Sequence, residues 1–94
     1  MKPKSKSHHE EDLLVARSIA KAVSFAAHLR QGPYEKYTTR DLPTYEAAVT
    51  EAERLTAEHG RFGKRGVVYA VTEKGVEELC TPELVALARS LGGC

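Results

Sequence analysis

The 94-residue chain has no tryptophan, one methionine, two cysteines and no long apolar run. Each scarcity removes a class of protein. Two cysteines, Cys80 and Cys94, cannot build the disulfide framework of a small secreted domain, so both are expected reduced, in a cytoplasmic protein. No stretch approaches the roughly 20 apolar residues of a membrane span, and no membrane partner is expected. The opening MKPKSKSHHEE lacks the hydrophobic segment of a secretory signal. Charge of one sign is also missing. Fourteen Lys and Arg stand against 13 Asp and Glu, a net +1, whereas general nucleic-acid domains are usually basic throughout.

Catalytic and metal-binding signatures are equally sparse. His8 and His9 are adjacent, which is not the spacing of a converging ligand set, so no metal site is expected. His28, His59 and scattered hydroxyls have no sequence relationship that defines a triad. Cys80 directly precedes a helix start, where a thiol pKa can fall, but a small buried cysteine is the commoner case. The expectation is a non-enzymatic domain without a cofactor.

What is present centres on residues 44–72: TYEAAVTEAERLTAEHG, then RFGKRG, then VVYAVT. Thr44 is a helix N-cap behind Pro43, and Glu46 suits the positive helix end. Tyr45, Ala48, Val49, Ala52 and Leu55 recur at helical spacing, while Glu51, Glu53, Arg54 and Glu58 form a solvated surface. Gly60 reads as a left-handed stop after His59. The mostly alanine stripe permits close approach to a sheet. Val67 to Thr72, apolar on both faces, reads as a strand that is central or covered on both sides.

Before this unit, residues 1–11 read as a disordered basic and polar tail, and 12–94 as one globular domain. Asp12 is a candidate N-cap for a helix whose stripe is Leu14, Val15, Ile19 and Ala22. Val23 to Arg30 alternates, with Val23, Phe25, Ala27 and Leu29 on one side and His28 and Arg30 on the other. It predicts a strand, against a first helix continuing to Gln31. Gly32-Pro33 makes a turn into a second strand, Tyr34 to Arg40, and the strand of residues 67–72 is expected beside the first. Glu73-Lys74-Gly75 is a turn, Val76 to Leu79 either a return strand or a first helical turn, and Thr81-Pro82-Glu83 a helix start. Leu84, Leu87, Ala88 and Leu91 make its stripe, ended by Gly92 and Gly93. The fold class is α+β, roughly α-β-β-α-β-α, with a three-stranded sheet packed by the central helix.

Arg65 to Leu79, RGVVYAVTEKGVEEL, resembles the wing segment of bacterial winged-helix regulators, and GPYEKYTTRDL is similar to the region before their recognition helix. The resemblance implies a mostly helical DNA-binding fold as the alternative. Its groove-entering helix would carry Glu46, Glu51, Glu53 and Glu58, which repel phosphates.

Two functional readings follow. The leading one is a protein-interaction or homodimerisation module, using an exposed strand edge at Tyr34, Lys36, Tyr37 and Thr38. The alternative is nucleic-acid binding through Arg30, Arg61, Phe62, Lys64 and Arg65, aided by the N-terminal lysines. There the glycines free backbone amides, the cations attract phosphate and Phe62 stacks on a base.

Overall fold

A computed structural model of the chain describes residues 2–92, with side chains described from residue 10. The elements are α1 (Lys2–Ala20), β1 (Ala22–Arg30), β2 (Lys36–Leu42), α2 (Tyr45–His59), β3 (Val67–Thr72), β4 (Glu77–Cys80) and α3 (Pro82–Ser90). The strands form one antiparallel sheet in the order β2-β1-β3-β4. The domain is α+β, with four strands where three were expected. Glu77 to Cys80 is the return strand, closed onto β3 by a turn in which Gly75 takes φ 83° and the Thr72 amide donates to the Val76 carbonyl at 2.9 Å. The β3–turn–β4 hairpin occupies the wing-like segment. The winged-helix alternative does not hold, since only Pro43 and Thr44 separate β2 from α2.

The strand reading of residues 23–30 is correct, and β3 lies beside β1. Two bulges modify the simple pattern. Between Ala22 and Ser24, β1 spends one extra residue against β3, and this turns Val23 out to solvent instead of into the core. Between Thr39 and Leu42, β2 spends three steps against two of β1, with Asp41 at φ 59°.

All three helices share one face of the sheet. Phe25, Ala27, Leu29, Val68 and Ala70 point into that layer, where they meet Ala48, Ala52 and Leu55 of α2 and Ala16, Ile19, Val85 and Ala88 of α1 and α3. The α2 stripe is the expected one. In α1 the buried positions are Ala16 and Ile19, flanked by Val15 and Ala20, and Leu14 is exposed; in α3, Val85 replaces Leu91. Those two helices pack mainly on each other, so their buried faces are set by that contact and not by the largest side chains. The helix α1 begins at Lys2, so Asp12 lies inside it rather than at its cap, and the segment expected as a tail continues the helix. Gly93 and Cys94, assigned to the chain end, lie outside the described residues, as do the side chains of His8, His9 and the N-terminal lysines.

Both threonine caps form. Thr44 Oγ1 accepts from the Ala47 amide at 3.0 Å, and Thr81 Oγ1 from the Leu84 amide at 3.2 Å, ahead of Pro82. Gly60 is not left-handed: it is extended at φ −69°, ψ 132°. Its lack of a side chain serves another purpose, because a Cβ there would meet the Thr56 and Lys64 carbonyl oxygens at 2.6 and 2.7 Å. Gly66 is tighter still. Its Cβ would lie 2.5 Å from the Ala52 oxygen, and its amide donates to Thr56 Oγ1 at 2.7 Å, while that hydroxyl donates to the Ala52 carbonyl at 2.7 Å. The small stripe of α2 thus seats the start of β3 directly on helix backbone.

Candidate anion-binding face

Because the helices cover one face, the other is open. It carries the alternate residues of every strand: Arg30, His28 and Ala26 of β1, Lys36, Thr38 and Arg40 of β2, Val67, Tyr69 and Val71 of β3, and Glu77 and Leu79 of β4. β3 is central, as expected, but is covered on one side only. Val67 and Leu79 are exposed, and Tyr69 and Val71 are half-buried.

The two outer strands are tied together over this face. Strands lie about 4.8 Å apart, so β2 and β4 are roughly 14 Å apart on a flat sheet. Arg40 of β2 nevertheless donates to Glu77 Oε2 of β4 at 3.2 Å. Two long side chains laid across β1 and β3 form this strap. Glu77 also stands 3.6 Å from His28 Nε2. Beneath it His28 is only 8% exposed, its Nδ1 hydrogen-bonded to Thr38 Oγ1 at 3.0 Å and its ring set edgewise 4.9 Å from Tyr69. Nε2 is buried without a hydrogen-bond partner among the described residues. Burial lowers the His28 pKa below its ordinary value; Glu77 opposes that shift, while Lys36 and Arg40 reinforce it. The imidazole is therefore neutral near pH 7.

Beside His28 the face sinks into a hollow of about 360 Å³ lined by Arg30, Lys36, Arg65, Val67, Tyr69 and Glu77. The register explains the convergence. Arg30 pairs with Lys36 across the β1–β2 hairpin, His28 pairs with Val67 on the other side, and Arg65 leads into β3. Elsewhere Arg40, Arg54, Arg61 and Arg89 are ion-paired with Glu77, Glu51 and Glu58, Glu35, and Glu46 respectively, while Arg17 of α1, like the cations of the hollow, forms no such pair among the described residues. Arg30, Lys36 and Arg65 have no carboxylate partner among the described residues. The acids Glu46, Glu51, Glu53 and Glu58 are all on α2, across the sheet, so a nearly neutral chain gathers Arg30, Lys36, Arg40 and Arg65 on this face against Glu77.

The residues named from sequence divide accordingly. Arg30 and Arg65 enter the hollow; Lys64 is exposed in the adjoining loop. Arg61 is held away: its guanidinium is 2.7 Å from Glu35, its amide donates to Gln31 Oε1 at 3.0 Å and its carbonyl accepts from Gln31 Nε2 at 3.1 Å. Phe62 is 95% exposed. Of the edge set, Tyr34 lies in the hairpin loop, fully exposed. Tyr37 turns to the helix side, stacked on His59 at 3.7 Å with its hydroxyl donating to Glu35. Lys36 and Thr38 belong to the open face. Tyr69 and Glu77 had not been singled out; only the strand register, with the hairpin closed at Gln31 and Glu35, places them there.

Cys80 is buried in the core next to Thr81, its thiol directed at the Glu78 carbonyl 3.7 Å away. Among the described residues no group of three or more His, Cys, Asp or Glu could hold a metal ion, and no helix is long and apolar enough to cross a membrane. No protein-family model, curated protein or solved structure matches the chain.

Proposed function

We propose that the protein binds nucleic acid through the open sheet face, with Arg30, Lys36 and Arg65 contacting backbone phosphates. One observation carries this reading: three cations without carboxylate partners meet in one hollow, on the side of the sheet opposite the acidic helix. Tyr69 and Val67 floor the hollow with apolar surface. A sheet face of this kind follows a phosphate backbone without reading sequence, since phosphate contacts position a nucleic acid and base contacts specify it.

Fluorescence anisotropy of labelled single-stranded DNA, single-stranded RNA and duplex DNA, titrated at several salt concentrations, tests the reading. Three phosphate contacts give a slope of log K against log salt of about −2 to −3. Changing Arg30, Lys36 and Arg65 together to Gln weakens binding alike for all sequences and flattens that slope. Changing Arg17 and Lys21 to Gln, outside the hollow, leaves it alone. Equal loss in both sets, or no binding at low salt, refutes the proposal.

A second reading is strand addition by a partner protein, or by a second copy, at β2. Its support is that β2 is an outer strand, with one row of backbone groups unpaired by the sheet. The bulge at Arg40–Asp41 and the charges of Lys36 and Arg40 are the features that protect such edges, which ranks this reading second.

A further inference from the structure

The open face ends, at the hollow, in two loops that leave the same edge of the sheet. Residues 31–35 close the β1–β2 hairpin and residues 60–66 lead into β3; His28 pairs with both Thr38 and Val67 just below them. The loops are clamped to each other. Gln31 exchanges two hydrogen bonds with the Arg61 backbone, and Arg61 pairs with Glu35 at 2.7 Å. The chain neighbours of that ion pair are Tyr34 and Phe62, which are 100% and 95% exposed. They are the two most exposed large hydrophobic side chains in the described structure.

Phe62 is held at a cost. It takes φ 55° and Gly63 φ 80°, in a turn where the Lys64 amide donates to the Arg61 carbonyl at 3.0 Å. Two successive positive φ values suit Asn-Gly or Gly-Gly, not an aromatic residue. A phenylalanine that contributes nothing to the core and sits in left-handed backbone is a placement that folding alone does not explain.

We infer that the face takes unpaired nucleic acid in preference to duplex, with bases stacking on Phe62 and Tyr34 while the adjoining phosphates lie on Arg30, Lys36 and Arg65. This rests on the nucleic-acid reading above and adds the state of the strand. Stacked bases have their faces covered inside a duplex; an unpaired strand presents them to any rigid ring beside a cationic groove. The clamped loops supply the rigidity, and Lys64 and Arg65 follow Phe62 two and three residues later on the same segment. Stacking of this kind is indifferent to base identity, because every base has a π-face.

The test uses the full chain and oligonucleotides of about 12 nucleotides, a usual span for small single-strand-binding domains. Labelled single-stranded DNA, single-stranded RNA and the matching duplex are compared by anisotropy at one moderate salt concentration. The single strands bind more tightly than the duplex, and Phe62→Ala weakens single-strand binding about tenfold with little change for duplex. Tyr34→Ala acts in the same direction, and Phe62→Tyr restores binding where Phe62→Leu does not. Phe62→Gly raises Tm by relieving the backbone yet loses the same affinity, which separates binding from stability. The DNA and RNA arms show whether the 2′-hydroxyl matters. Equal affinity for single strand and duplex, with Phe62→Ala neutral while the Arg30, Lys36 and Arg65 changes still weaken binding, overturns this inference alone. No binding of any nucleic acid overturns both.

Discussion

Replacing Gly66 with Ala adds one methyl group where the start of β3 rests on α2, and the expected effect can be worked out from contacts. The new Cβ would stand 2.5 Å from the Ala52 oxygen, 3.0 Å from its Cα and 3.1 Å from its carbonyl carbon. All three are backbone atoms inside a helix, so no rotamer change relieves the clash. Comfortable separation is ~3.5 Å, so the strand start must retreat by about 1 Å. That retreat stretches the 2.7 Å bond from the Gly66 amide to Thr56 Oγ1. Overpacking of a tight contact costs about 1–3 kcal/mol, and a weakened hydrogen bond about 0.5–1.5 kcal/mol. Together they make about 2–4 kcal/mol, a fall in Tm of about 10–25 °C for a domain of this size. Urea denaturation, with the slope unchanged and the midpoint lowered, gives the free energy directly. Gly32→Ala is the control: nothing lies within 4 Å of its added Cβ, so stability stays level or rises slightly. Because Arg65 and Val67 flank Gly66, the displaced strand also weakens the nucleic-acid binding proposed for this face. A Gly66→Ala protein melting within 2 °C of the parent would refute the reasoning that this backbone contact seats β3.

Two further outcomes are expected. His28 has a folded pKa below its ordinary 6.5, so the unfolded chain takes up a proton first as pH falls. The stability this contributes is complete above pH 6.5 and is lost as pH drops through the lowered value. Urea midpoints fall between pH 7.5 and the carboxylate range, and His28→Gln flattens that part of the curve; an unchanged curve would rule the assignment out. Thr44→Ala removes the acceptor for the Ala47 amide and costs about 0.5–2 kcal/mol, read as a lowered Tm with no loss of affinity at the distant hollow.

Features set by neighbours in the chain were legible from the sequence. Thr44, and Thr81 with Pro82, mark helix starts through local hydrogen bonds. The alternation from Phe25 to Leu29 shows a half-covered strand because the period of a strand is two. Features set by distant partners were not. Leu14 is larger than Ala16, yet Ala16 is buried and Leu14 exposed, because tertiary packing of α1, mainly on α3, decides which of its faces is covered. Glu77 to Cys80 carries two acids and no β-branched residue, and becomes a strand only because β3 offers it a partner. Val23 fits the alternation and fails it through a bulge that depends on β3. At the site, Arg30, Phe62 and Arg65 could be picked out as cations and a ring. Lys36 was assigned to an edge and Tyr69 lay unremarked within the strand of residues 67–72, since only the register joins them. The neutralisation of Arg61 by Glu35 spans 26 positions and leaves no local trace.

The Arg40–Glu77 strap gives ionic strength two points of action on one surface. Its side chains are partly exposed, and exposed pairs of this kind are weak and screened by salt. On the proposed reading, added salt competes for the phosphates at Arg30, Lys36 and Arg65, and the same ions loosen the bond that joins the first and last strands in the sheet order. As that bond weakens, the restraint it adds between β2 and β4, beyond their pairing with β1 and β3, is lost. Salt thus acts on a bond within the face as well as on the attraction proposed for its phosphates. Replacing the strap with the neutral pair Arg40→Gln and Glu77→Gln removes the second point of action and leaves the first.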